Sequence, residues 1–399
     1  MDVFRVVRTG TTAHLVMDHP ARKLNVLDEP ALASLESALT ELEGATGLTG
    51  VIVRSGKPGS FVAGADVDAI GSITDPALVR ALVARGHQAF LRLSRLAVPT
   101  VAAIEGVCLG GGLEMALACD SRVAAEEKTQ IGLPEVLLGI IPGFGGTTRL
   151  PRLVGFANAL DLVLTGRTLD ARRAEKMGVI AKAAPAAWLL EAAEARLARL
   201  ARRPAALRRD RFAPRGLVPQ LLEGNPVGHA IVFHQARSGV IARTGGHYPA
   251  PLAAIATMEK SDGLPIEQAL QIELDAVVPL VTGAVCKNLV RIFHLSEAAK
   301  RAPVVADASV KPQPVARLAL AGAGVMGGGI AELASRFGIE VRLRDVKPEA
   351  LQKGLQTVRA VLDERGRRKR TPGREKDGQM ARIVPTLELS GVVNADVAL

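Results

Sequence analysis

Across residues 1–190, short β-branched runs alternate with Ala/Leu-rich stretches, and this alternation limits the fold more than any other feature. GVIVRSG (50–56) and PTVAAIEG (99–106) have the apolar, β-branched character of buried strands. Between them, DPALVRALVARGHQAFLRLSRL (75–96) carries a helical rhythm. Apolar strands separated by helices predict an α/β layered domain. From about 190 to 310 the pattern is predominantly helical, interrupted by the turn-rich TGGHYPAP (244–251). KPQP (311–314) reads as a linker, because two prolines in four residues resist both helix and strand. The expected divisions are therefore 1–190, 191–314 and 315–399.

The last division opens with a strand (RLALAGA), a glycine loop, a helix (GGIAELASRFG) and a second strand (EVRLRD). Its loop, Gly322-Ala-Gly-Val-Met-Gly327, is a G-x-G-x-x-G. Alone that pattern is weak, but here a strand precedes it, a helix follows, and an acidic residue closes the next strand. The glycines permit a tight turn and let a pyrophosphate approach the helix N-terminus. Asp345, 18 positions after Gly327, is placed to accept from the ribose hydroxyls of a dinucleotide. Its charge disfavours a 2′-phosphate, so NAD is expected over NADP. Gly322, Gly324, Met326, Gly327 and Asp345 are the candidate cofactor contacts.

Composition narrows the class. A chain of 399 residues with 48% hydrophobic content has room for two or three packed domains and is not a disordered chain. Cys108, Cys119 and Cys286 have neither the density of a disulfide scaffold nor metal-ligand spacing, which suits a reducing compartment. Buried structural thiols are expected of Cys108 and Cys119, and ordinary core or surface roles of His14, His19 and His87; no metal is expected. The N-terminus lacks a signal-peptide stretch, and no apolar run approaches the ~18 residues of a membrane span. A soluble, cytoplasmic protein is the expectation. The net charge of +10 could attract a polyanion, but nine Phe, one Tyr and one Trp give few platforms for stacking bases, so no nucleic-acid partner is expected. The basic residues gather at Arg196–Arg215 and Arg365–Lys376, where a solvated helix face or a docking surface is expected.

Three segments of the first division carry the chemistry: FVAGADV (61–67), CLGGGLE (108–114) and GLPE (132–135). GGGLEMALACD begins with glycines and continues as an apolar helix, which places Gly111 near a helix N-terminus. Unsatisfied N–H groups there can hold a developing oxyanion, with Glu114 beside it in the first turn. FVAGADV could supply a second N–H, and Glu135 a second carboxyl. Two carboxyls and two backbone donors around one carbonyl suit enolate chemistry on a thioester.

The stretch from Ala102 to Gly155 resembles the core of the enoyl-CoA hydratase/isomerase, or crotonase, family. The resemblance matches Ala65 and Gly111 to the oxyanion-hole donors and Glu114 and Glu135 to the catalytic pair. Retention of both glutamates implies hydration of 2-trans-enoyl-CoA, with isomerisation as a side activity. Isomerisation as the main reaction, or a non-catalytic subunit docking a thiolase, are the alternatives. The two glutamates are 21 positions apart, one more than the family pattern, and the extra residue is assigned to a surface turn in AAEEKTQ (124–130). The last division resembles the start of a 3-hydroxyacyl-CoA dehydrogenase NAD-binding domain, and the middle resembles the linker of multifunctional fatty-acid oxidation α-subunits. The resemblance thus implies an α/β chain: a ClpP/crotonase-type domain, a helical linker and part of a Rossmann domain. It also implies acyl-CoA substrates, a thiolase β-subunit partner and an oligomer. The family's dehydrogenase pair lies beyond NADVAL (394–399), so this chain is expected to be truncated, with a marginally stable last segment that does not oxidise substrate.

Overall fold

A computed structural model describes residues 2–203, 210, 223–302, 307, 309–369 and 372–399. The chain forms two compact units, Met1–Arg301 and Ala302–Leu399.

Strands of the first unit are, in chain order, β1 (Phe4–Thr9), β2 (Thr12–Met17), β3 (Gly50–Ser55), β4 (Ser60–Val62), β5 (Thr100–Ile104), β6 (Val107–Leu109), β7 (Ser121–Ala125), β8 (Gln130–Gly132) and β9 (Lys182–Ala184). Six of them form one sheet in the order β1-β2-β3-β5-β7-β9, and β4-β6-β8 form a smaller one. β1 and β2 are an antiparallel hairpin; the other strand pairings are parallel. Each coil of the chain therefore gives one strand to the large sheet and the next to the small one. The coils stack at their corners: Val107 N–H donates to Gly59 O at 3.3 Å and Gln130 N–H to Gly106 O at 3.0 Å. Gly106 has φ +71°, and a Cβ on it would lie 1.9 Å from Gly59 O, so only glycine fits.

The large sheet is covered on both faces, which is why GVIVRSG reads as a continuous apolar run. Val51 and Val53 pack in the same core as Leu35 and Leu39 of helix Glu29–Gly44. On the opposite side, Ile52 and Val101 pack with Leu189, Ala193 and Leu197 of helix Leu189–Ala201.

The 191–314 segment is helical over Pro226–Thr244, Pro249–Lys260, Ile266–Thr282 and Ala284–Arg301, and these helices fall within the first unit. Helix Ile266–Thr282 packs on helix Pro76–Ser94. Of the first basic run, Arg196 is tied inward: its Nε donates to Ser121 Oγ at 2.8 Å, and it pairs with Asp210. Residues 204–209 and 211–215 of that run lie outside the described residues. In the second run Arg365 pairs with Glu332 at 3.0 Å and Lys376 with Asp363 at 2.8 Å, while 370 and 371 lie outside the described residues.

The second unit contains β10 (Arg317–Ala321), β11 (Glu340–Arg344), β12 (Ile383–Thr386) and β13 (Val397–Ala398) in a parallel sheet of order β12-β11-β10-β13. Helix Val325–Arg336 connects β10 to β11, the βαβ unit expected from the glycine loop. Leu318, Leu320, Val341 and Leu343 pack with Val358 and Leu362 of helix Pro348–Lys369. The segment NADVAL contains β13, with Leu318 beside Val397. Among the described residues no single helix is long and apolar enough to cross a membrane.

Candidate active site

Helix Gly111–Ala118 is buried along its whole length and begins at Gly110, whose φ of +51° turns the chain out of β6. Its opening N–H groups have no intrahelical acceptor and carry the positive end of the helix dipole. The other end is held by the buried Arg122, which donates to Ala116 O and, at 3.1 Å, to Cys119 O. Glu114 sits in the first turn, 2% exposed. Its Oε1 accepts the N–H groups of Phe144 and Gly146, each at 2.7 Å.

Glu135 opens a short 3-10 turn, Glu135–Leu138. Its Oε2 is buried with no hydrogen-bond partner among the described residues. Gly110 stands against it, since a Cβ there would lie 2.9 Å from Glu135 Oε1. Ala65 follows Gly64, whose φ of +112° brings FVAGADV beside Leu109 and Gly110. Ala65, Gly111, Glu114 and Glu135 line one cavity of about 330 Å³, so the four residues singled out in the sequence are brought together.

Burial is the main cause of the electrostatics. It raises the Glu114 carboxyl well above the ordinary range, assisted by the charges of Glu135 and Glu273 and opposed by the two N–H donors. Burial also pushes Glu135 up to about 8, with a further contribution from Glu273. Two acids in one largely apolar cavity titrate as a unit, and the pair can hold a proton at neutral pH. Such an arrangement can take a proton at one oxygen and deliver one from another.

Sequence reasoning missed Glu273 and the Phe144–Gly146 turn, and it gave His87 no particular role. Glu273 lies on helix Ile266–Thr282 and is fully buried. Its signal in the sequence was a glutamate on the apolar stripe Ala269, Glu273, Val277. His87 is buried with its Nε2 3.2 Å from Glu273 Oε1. His14 and His19 are also buried, the latter paired with Asp28 at 2.9 Å. Cys108 and Cys119 are buried thiols, as expected, and burial pushes the Cys108 thiol far up.

In the second unit Gly322 turns the chain at φ +103°. A Cβ on Gly327 would lie 1.8 Å from Gly322 O, whereas one on Gly324 would meet nothing within 4 Å. The loop is thus closed on its inner side and open at Gly324, with Val325 and Met326 exposed. Asp345 Oδ2 accepts the Ala323 N–H at 2.7 Å, which holds its carboxyl below the ordinary range. An open glycine at a helix N-terminus, with a carboxylate at the end of the next strand, fits an NAD pyrophosphate and ribose.

Comparisons with known proteins agree with both units. Residues 9–210 match the enoyl-CoA hydratase/isomerase family, and residues 317–399 match the 3-hydroxyacyl-CoA dehydrogenase NAD binding domain. The fatty acid oxidation complex subunit alpha of Shewanella amazonensis is 38% identical over 98% of this chain and 55% of its own length. That of Shewanella baltica is 36% identical over 98% of this chain and 55% of its own. The chain spans about half the length of the curated relatives it matches. The fold is shared with human mitochondrial delta3-delta2-enoyl-CoA isomerase, at TM-score 0.54 and 20% identity over 75% of this chain and 100% of that one. With half its length matched, the chain belongs to the enoyl-CoA hydratase/isomerase family and continues into a 3-hydroxyacyl-CoA dehydrogenase NAD-binding domain.

Proposed function

We propose that the first unit hydrates 2-trans-enoyl-CoA to 3-hydroxyacyl-CoA in fatty-acid β-oxidation. The observation that carries this reading is the pair of buried carboxyls beside a helix N-terminus in one cavity. The thioester carbonyl lies between the N–H groups of Ala65 and Gly111. Glu114, with two N–H donors on its Oε1, is the better seat for negative charge and takes a proton from water. The hydroxide oxygen bonds to C3, and the C2=C3 electron pair moves to the thioester as an enolate on the two N–H groups. Glu135, whose Oε2 has no partner among the described residues, holds the proton and gives it to C2. The second unit is proposed to bind NAD through Gly322, Gly324, Met326, Gly327 and Asp345. Three buried, reduced thiols support a reducing, cytoplasmic setting, and a thiolase partner is proposed from the family alone.

The test is loss of the crotonyl-CoA enoyl absorbance with the purified chain. Hydration that disappears in Glu114→Gln supports the reading. Isomerase turnover of a 3-enoyl-CoA without hydration would replace it with the Glu135-centred proton shuttle.

A further inference from the structure

We propose that Glu273 is a positioning residue which, with His87 behind it, sets the place of the turn that holds Glu114; this rests on the hydratase reading above. Three successive backbone N–H groups alternate between two carboxylates. Phe144 and Gly146 donate to Glu114, while Gly145 between them donates to Glu273 Oε1 at 2.6 Å. Gly145 adopts φ +104°, where a side chain would collide with the Arg149 guanidinium. The turn is therefore held from both sides, and a shift toward either carboxylate loosens its hold on the other.

Glu273 is built for this place. A buried carboxylate is costly without partners. Its Oε1 also faces His87 Nε2 at 3.2 Å, and its Oε2 accepts the Thr147 hydroxyl and, at 3.4 Å, that of Thr148. The helix that carries it comes from the middle of the chain, far from the glutamate motifs, and packs on the helix that carries His87. The charged and titratable groups around the turn are Glu114, Glu135, Glu273, His87 and Arg149. Removing the Glu273 charge lowers the proton affinity of the catalytic pair, because that charge now raises both members.

The experiment compares the parent with Glu273→Gln and Glu273→Ala in crotonyl-CoA hydration from about pH 5 to 10, on both sides of the value near 8 to which burial pushes Glu135. Glu273→Ala is expected to lose about 10²-fold in kcat with little change in KM, since a displaced catalytic group costs that much. Glu273→Gln keeps an oxygen for the Gly145 N–H and recovers most of kcat, but both limbs of its pH profile move down by about half a unit or more. A purely structural anchor would lower Tm and leave the limbs in place; limbs superimposed on the parent's overturn the proposal. If Glu273→Ala does not fold, the Glu273→Gln profile decides alone. If the parent hydrates nothing, the functional reading fails, and the proposal is read instead from ¹³C titration of the Glu114 carboxyl. A midpoint that falls in Glu273→Gln supports it, and an unchanged one overturns it.

Discussion

Helices Gly111–Ala118 and Val325–Arg336 both begin at a glycine cap, but the first is buried throughout while the second exposes Val325 and Met326 at its start. The same backbone device therefore works in two media. In the proposed hydration, the buried helix N-terminus acts on charge that appears only during reaction, in a low dielectric where each donor counts for more. In the proposed NAD complex, the helix N-terminus at the open loop faces an anion that is charged before it arrives, and solvent moderates the attraction. Buried carboxyls at the first site have raised proton affinity, whereas the half-buried Asp345 at the second has it lowered.

The largest break of this contrast is at the carboxyl pair. Glu114→Gln or Glu135→Gln is expected to lower hydration kcat by ~10²–10⁴-fold with the fold intact, measured by crotonyl-CoA absorbance and circular dichroism. Gly110→Ala comes next. Its Cβ would press on Glu135 Oε1 in a left-handed conformation, and a loss of about 10²-fold in kcat is expected.

Stability should report the same burial. Glu135 keeps its proton up to about 8 when folded, well above the ordinary carboxyl range. Its contribution is therefore fully present at acidic pH and is lost as pH rises through that window. Glu135→Gln should be more stable than the parent at about pH 9 by on the order of 1–3 kcal/mol and similar to it at about pH 4, checked by urea melts. At the open loop the effects are smaller. Gly324→Ala meets no neighbour and should fold normally while weakening NAD by about tenfold in calorimetry. Gly327→Ala collides with Gly322 O and should instead lower the melting temperature.

The second site was the more legible because Gly322, Gly324, Gly327 and Asp345 lie within one strand-loop-helix-strand segment, and local spacing carries their geometry. At the first site Gly111 and Glu114 were readable for the same reason, one helix turn apart. Glu135 was offered from the residues as a second carboxyl and Ala65 was named from the family resemblance; that they meet depends on how successive coils stack. Glu273 was legible only as a glutamate on the apolar stripe of its helix, and nothing near position 273 indicates that position 145 will be its partner. The helices of 226–301 likewise read as a linker, although they pack within the first unit.

The stacked corners bear on how this architecture tolerates changes of length. With Gly106 pressed on Gly59, the pitch of the coils has no slack, so an added residue must be expelled where the chain swings outward. The turn between β7 and β8 is such a place: Glu127 and Lys128 are exposed, and Lys128 adopts φ +54°. Chain length between Glu114 and Glu135 can drift there while the stacked coils keep the two carboxyls in register. Insertions and deletions can accumulate at that rim without the chemistry having to be reinvented.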